Sequence, residues 1–218
     1  MKNVEFRESK KRIAAGKILC LGRNYPEHAK EMKAEMPTTP VVFLKPASSI
    51  VTDGSKVVIP SFSKVMHHEV EMVVLIGKDG KNISREAALD HVAGYGVGLD
   101  MTLRDVQVDA KKKGLPWTVA KCFDTSAPVS SFTERSRVAD PHTLDISLTV
   151  NGSLRQHSNT RNMIFRVEDI ISYLSTVFTL EVGDLIFTGT PEGVGPVVAG
   201  DVLHAEIESV GTLTIGVE

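Results

Sequence analysis

The sequence predicts an α+β protein dominated by β structure. Short apolar runs of strand length outnumber segments with helical spacing. Regular strand–helix–strand alternation is absent, which argues against a parallel α/β sheet. The run Leu144–Val150 alternates apolar and polar residues cleanly and leads into Asn151-Gly152, the strongest hairpin signal in the chain.

In order, residues 1–16 are charged with little apolar pattern and read as an N-terminal arm; residues 17–218 read as one domain. Lys17–Leu21 is a strand closed by Gly22. A charged, Met-containing segment follows over 23–37. Val41–Leu44 is a strand stopped by Pro46, and Val57–Ile59 is a short one. Met66–Ile76 reads as a strand entering a buried sheet, ended by Gly77, with Asp79-Gly80 as a hairpin-type turn. Ser84 to about Ala93 has helical character with Ser84 at the N-cap. Ala93–Asp100 is a glycine-rich strand. Thr102 and Asp105 suggest a capping-box-like helix start, with Asp in place of Glu, and that helix stops at Gly114 and Pro116. Val167–Val177 has helical spacing, Leu180–Gly189 is a strand with a Gly183-Asp184 turn, and Val202–Ile207 and Leu213–Val217 are terminal strands.

The 218 residues are 42% hydrophobic, so a sizeable core is available, and the net charge is −2. No basic run interleaved with aromatics suggests nucleic acid, and Lys111–Lys113 reads as a solvated helix end. No stretch approaches the roughly 20 apolar residues of a membrane helix, and the first residues lack a secretory apolar region. Cys20 and Cys122 lack metal-type spacing, and Cys20 reads as a reduced core thiol. The expectation is a soluble cytoplasmic protein.

Glu69 and Glu71 are two apart on a strand, hence on one face roughly 6–7 Å apart along it. Like carboxylates placed together repel unless something neutralises them. A hard divalent cation does so with oxygen ligands, and Asp100 at the end of the glycine strand can supply a third. The competing reading is a solvated strand edge. Gly94, Gly96 and Gly98 share parity with Asp100, so one strand face is bare; this admits either a ligand or plain sheet packing. Their spacing inside a strand disfavours a nucleotide loop. On a helix, His28 and Glu31 are neighbours, and a carboxylate beside an imidazole suits a general base; an ordinary surface pair is the alternative. The 23–37 segment has few apolar residues to anchor it and suggests a lid. Lys121 follows an apolar stretch, where a lysine often snorkels. Arg104 and Gln107 lie on the first turns of their helix, where capping and solvation would explain both. Thr188–Pro196 is a glycine-rich loop able to offer N–H groups and the Thr190 hydroxyl to an anion, or simply a turn.

Taken in order, GRNYPEH, FLKP, HHEVE, GLDMTLRDVQ, KKKGLPW, AKCFDT, VNGSLRQ and GDLIFTGTPEGVGPV resemble the fumarylacetoacetate hydrolase family, in its short acylpyruvate hydrolase and oxaloacetate decarboxylase branch. The resemblance covers roughly residues 17–218. It implies a compact mixed β-roll with a few peripheral helices, a homodimer, and Mg²⁺ or Mn²⁺ held by Glu69, Glu71 and Asp100. It implies His28 and Glu31 as a catalytic dyad on the lid and Lys121 as a further catalytic group. Arg23, Arg104, Gln107 and Thr190 would contact a small 2-oxo acid. The implied reaction is cleavage of an acylpyruvate to a carboxylate and pyruvate, with oxaloacetate decarboxylation through the same enolate. Tautomerisation of oxaloacetate or of an unsaturated 2-oxo diacid is the enzymatic alternative, and a non-catalytic 2-oxo-acid-binding protein the alternative of another class.

Overall fold

The structure, a computed structural model, describes residues 2–218. A charged hairpin opens the chain: β1 Asn3–Glu5 and β2 Arg12–Ala14. There follow β3 Ile18–Gly22, helix α1 Pro26–Glu31, β4 Val41–Lys45, β5 Ile50–Thr52 and β6 Lys56–Val57. The centre of the chain gives β7 Met66–His68, β8 Val70–Ile76, β9 Val92–Leu99, β10 Thr102–Leu103, helices α2 Arg104–Lys112 and α3 Thr118–Lys121, β11 Ala127–Val129 and β12 Thr133–Glu134. The remainder is β13 Asp145–Val150, β14 Ser153–Asn159, α4 Val167–Val177, β15 Leu185–Phe187, β16 Gly195–Val197, β17 Val202–Ile207 and β18 Gly211–Val217.

A mixed eight-stranded sheet runs β4-β3-β15-β8-β9-β11-β5, with β12 pairing on β9; a five-stranded sheet runs β14-β13-β17-β18-β6. Strand β8 lies inside the larger sheet and is buried at every position, Glu71 included, and the apolar run Met72–Ile76 suits a strand covered on both faces. Its side chains divide by parity between two cores. Val70, Met72, Val74 and Ile76 pack with Ile146, Leu148 and Leu203 of the five-stranded sheet and with Ile170 and Leu174 of α4. Val73 and Leu75 pack on the other face with Ile18, Cys20, Leu185 and Phe187. Val4 and Phe6 are buried in that second core, with Ala15 in it and Ile13 packed against it, so the charged N-terminal segment docks on the sheet through its few apolar side chains.

Asn151 and Gly152 take φ of 51° and 78°, as a two-residue turn with left-handed centres demands, and connect β13 to β14. Helix α4 covers Val167–Val177, and its apolar spacing buries Val167, Ile170, Ile171 and Leu174. Three local expectations fail. Asp79-Gly80 makes no hairpin turn: Gly80 bridges to Leu180, Asp79 accepts the Val182 N–H, and residues 77–91 form a longer connection between β8 and β9. Within the Ser84–Ala93 stretch only Ala88–His91 form a 3₁₀ turn, in which Ala88 and His91 are buried, and Val92 already belongs to strand β9. The capping box before α2 does not form. Leu103 is the N-cap, and Asp105 instead accepts from Ser63 Oγ and the Lys64 and Val106 N–H groups.

The bare face of β9 is a packing surface. A Cβ at Gly96 would meet the Phe132 ring, and one at Gly98 would meet Val73 and Phe187. Gly98→Ala is therefore expected to overpack the second core and cost about 1–3 kcal/mol in urea unfolding. An unchanged midpoint would show that Phe187 has room to yield.

Candidate active site

The antiparallel register of β8 and β9 builds the centre of the site. Val70 faces Leu99 and Glu71 faces Gly98, so Glu69 lies opposite Asp100, whose N–H donates to the Glu69 carbonyl. The expected single strand Met66–Ile76 is split at Glu69, where β7 leaves for a small sheet with β10 and β16. Carboxylate oxygens of Glu69, Glu71 and Asp100 lie within 4.8 Å of one another, and all three residues are buried. A solvated edge is excluded.

Charge balance at this cluster is uneven. Lys121 Nζ donates to Glu69 Oε2 at 2.8 Å, to Asp100 Oδ2 at 2.5 Å and to Thr102 Oγ1 at 2.6 Å. Arg104 pairs with Glu69 Oε1. Lys45 Nζ lies 2.9 Å from Asp100 Oδ1 and also donates to the carbonyls of Met101, Lys121 and Ser126. Burial alone would raise the Glu69 carboxyl, but Lys121 and Arg104 outweigh it and hold it well below the usual range. Glu71 is different. It accepts the Gly189 N–H at 2.7 Å but has no cation beside it. Burial, then Asp100, then Glu69 push its carboxyl well above the usual range. A crowded oxygen-only set with one uncompensated carboxylate fits a hard divalent cation.

The 23–37 segment is held closer than its composition suggested. Asn24 Nδ2 donates to the carbonyls of Phe165 and Thr188, its Oδ1 accepts the Phe165 N–H, and Tyr25 is fully buried. Pro26 then starts α1 at a position suited to its fixed φ. His28 Nδ1 lies 3.2 Å from Glu31 Oε2, while Glu31 Oε1 accepts the Gly193 N–H. One glycine-rich loop thus touches both Glu31 and Glu71.

Arg104 donates to Gln107 Oε1 at 2.7 Å, and Gln107 is buried, so neither is a solvated capping residue. Lys121 does not snorkel; it is 3% exposed. The buried Thr190 hydroxyl accepts from Gln156 Nε2. A cavity of about 40 Å³ gathers every expected site residue except Glu31, which stands behind His28. An open groove of about 900 Å³ adjoins it, sharing Phe43, Trp117 and Lys121. Sequence reasoning missed Lys45, Gln156 and Lys111. Lys45 had a signal, a charge at the buried end of the Val41–Leu44 strand. Lys111 also lines the cavity and sits 5.0 Å from the centre of the Trp117 ring, so it is not merely a solvated helix end.

Buried carboxylates converging beside a His–Glu pair and several cations, at the end of a β-dominated domain, define an enzyme site for a small molecule, with a donor set that supports a divalent metal. Residues 17–218 match the fumarylacetoacetate (FAA) hydrolase C-terminal model, and the chain belongs to that enzyme family. It is 51% identical over 201 residues to the mouse "Oxaloacetate tautomerase FAHD1, mitochondrial", covering 92% of this chain and 91% of that protein. The Arabidopsis thaliana protein of the same name is 46% identical over 202 residues, covering 93% and 91%. Among solved structures, fumarylpyruvate hydrolase from Pseudomonas aeruginosa in complex with Mn²⁺ and pyruvate is 40% identical with a TM-score of 0.95, covering 99% of this chain and 95% of the other. The β-roll expected from the resemblance is the fold observed. Among the described residues, no helix is long and apolar enough to cross a membrane.

Proposed function

We propose that the protein interconverts the keto and enol forms of oxaloacetate. The observation that carries this reading is the His28–Glu31 pair, held beside the three carboxylates in a cavity of about 40 Å³. A proton-transfer pair beside the carboxylate cluster suits a substrate that only shifts a proton. The names of relatives near half identity support the same choice.

Glu69, Glu71 and Asp100 would hold Mg²⁺ or Mn²⁺, which when bound supplies Lewis acidity at the 2-oxo oxygen. Arg23, Arg104 and Gln107 bind the carboxylate end of the substrate, with the Thr190 hydroxyl as a further hydrogen-bonding group. Lys121 places an ammonium where negative charge develops on the 2-oxo oxygen. His28, oriented by Glu31, takes the proton from C3 and returns it to that oxygen, one carbon away. The reverse sequence regenerates the ketone.

Acylpyruvate hydrolysis is the second reading. The groove beside Phe43 and Trp117 favours it, since a longer acyl chain could extend there. His28 would then deprotonate a water, hydroxide would attack the distal carbonyl, and C–C cleavage would give a carboxylate and pyruvate enolate. Metal-loaded protein supplied with oxaloacetate and with acetylpyruvate, followed by NMR with and without chelator, separates the readings. Accelerated enol decay with every carbon retained supports tautomerisation. Acetate and pyruvate as the main products would replace it with hydrolysis, and pyruvate with CO₂ would indicate decarboxylation. A homodimer belongs to the same proposal; sedimentation at the mass of one 23.7 kDa chain would remove it.

A further inference from the structure

We propose that Lys111, braced on Trp117 in the lining of the cavity, is the specificity residue for a second carboxylate, so that the site selects 2-oxo dicarboxylates over 2-oxo monoacids. This rests on the 2-oxo acid reading above and adds to it the recognition of the far end of the substrate.

The first support is position. Arg104, Gln107 and Lys111 are separated by three and four residues, so they form one face of α2, and all three line the cavity with the carboxylate cluster. Arg104 and Gln107 occupy the inner turns, against Glu69. Lys111 stands one turn further out, where the molecule's far end would lie when its 2-oxo acid end is at the carboxylate cluster. The Trp117 ring braces the ammonium, with the nitrogen 5.0 Å from the ring centre.

Charge supplies the second support. Lys45, Lys121 and Arg104 are matched by contacts to Asp100 and Glu69, within a cluster of three carboxylates. Arg23 and Lys111 make no ion pair among the described residues, although both border the cavity. Two cations of the lining are thus left without a carboxylate partner, and a second carboxylate on the ligand offers Lys111 one where a 2-oxo monoacid does not. The Lys111 ammonium is held below its usual range by burial and then by Arg104, Arg23 and Lys121, as expected for a cation whose neighbours are mainly cations. An incoming carboxylate relieves that repulsion.

The test compares oxaloacetate with 2-oxobutyrate, which has the same carbon chain with a methyl group in place of the distal carboxylate. For Mn²⁺-loaded wild type, Lys111→Met and Lys111→Arg, the KM for oxaloacetate and the inhibition constant of 2-oxobutyrate are measured. Lys111 is exposed enough for both variants to fold, and their melting curves check it. Lys111→Met is expected to raise the oxaloacetate KM about 10- to 100-fold, the range of a lost charge-assisted hydrogen bond. The 2-oxobutyrate constant should stay within about twofold, and Lys111→Arg should recover most of the loss. Equal changes for both ligands, or none for either, would overturn the role of Lys111 while leaving the 2-oxo acid reading intact. A wild type that neither converts oxaloacetate nor binds 2-oxobutyrate would remove both.

Discussion

Glu71→Gln is expected to abolish divalent-ion binding and lower kcat/KM by roughly 10³-fold or more, the scale of several kcal/mol of Lewis-acid stabilisation. The same variant, free of metal, should melt no lower than the wild type. Both expectations come from one feature. Glu71 is the member of the carboxylate cluster without a cation, and burial, Asp100 and Glu69 all disfavour its ionised form. A neutral amide removes that repulsion and can still accept the Gly189 N–H through its oxygen. What it cannot do is complete a trianionic cage. Glu69→Gln should behave differently, because it leaves the Arg104 guanidinium without its carboxylate partner and Lys121 with Asp100 alone, at a cost of about 3–5 kcal/mol. Calorimetric titration with Mn²⁺, alongside thermal melts of the metal-free proteins, measures both effects. Undiminished Mn²⁺ binding by Glu71→Gln would rule out the cluster as the metal site.

The cluster was legible because its geometry follows from local rules. Side chains two apart on a strand share a face, and the apolar run after Glu71 meant that face had to enter a core. The partner Asp100 needed only the antiparallel pairing of two adjacent strands. Features set by contacts distant in the chain were harder to read. Lys45 reaches Asp100 across 55 positions, and Gln156 reaches Thr190 from another sheet. The 23–37 segment has little apolar anchoring of its own, yet Asn24 ties it to Phe165 and Thr188, which no local pattern announces. The glycine face of β9 carried two readings that only the positions of Phe132 and Phe187 could separate. Local propensity also misled where packing had other uses for the residues. Asp105 was placed to cap a helix from within, but its carboxylate secures the loop at Ser63 and Lys64.

His28→Ala is expected to lower kcat for oxaloacetate tautomerisation about 10²- to 10⁴-fold, the usual worth of a positioned general base, with KM changed far less. The imidazole is 6% exposed and its Nδ1 is taken up by Glu31, which leaves Nε2 as the nitrogen able to exchange a proton with substrate. The same loss should extend to any acylpyruvate cleavage, since that reaction needs an activated water. Decarboxylation needs neither a C3 proton nor a water. It requires only that the electron pair left by CO₂ be stabilised at the 2-oxo oxygen, the role assigned to Lys121 and to the Lewis acidity that a cation held by Glu69, Glu71 and Asp100 would supply. His28→Ala should therefore spare more of any oxaloacetate decarboxylation than of tautomerisation. Glu31→Gln gives the intermediate case, keeping an acceptor for the Gly193 N–H but losing the charge that orients and strengthens His28. Enol decay and CO₂ release, measured on the same samples of wild type and both variants, make the comparison. If His28→Ala lowers the two rates by the same factor, His28 is acting on a step common to both reactions, and its assignment as the proton carrier between C3 and the 2-oxo oxygen is wrong.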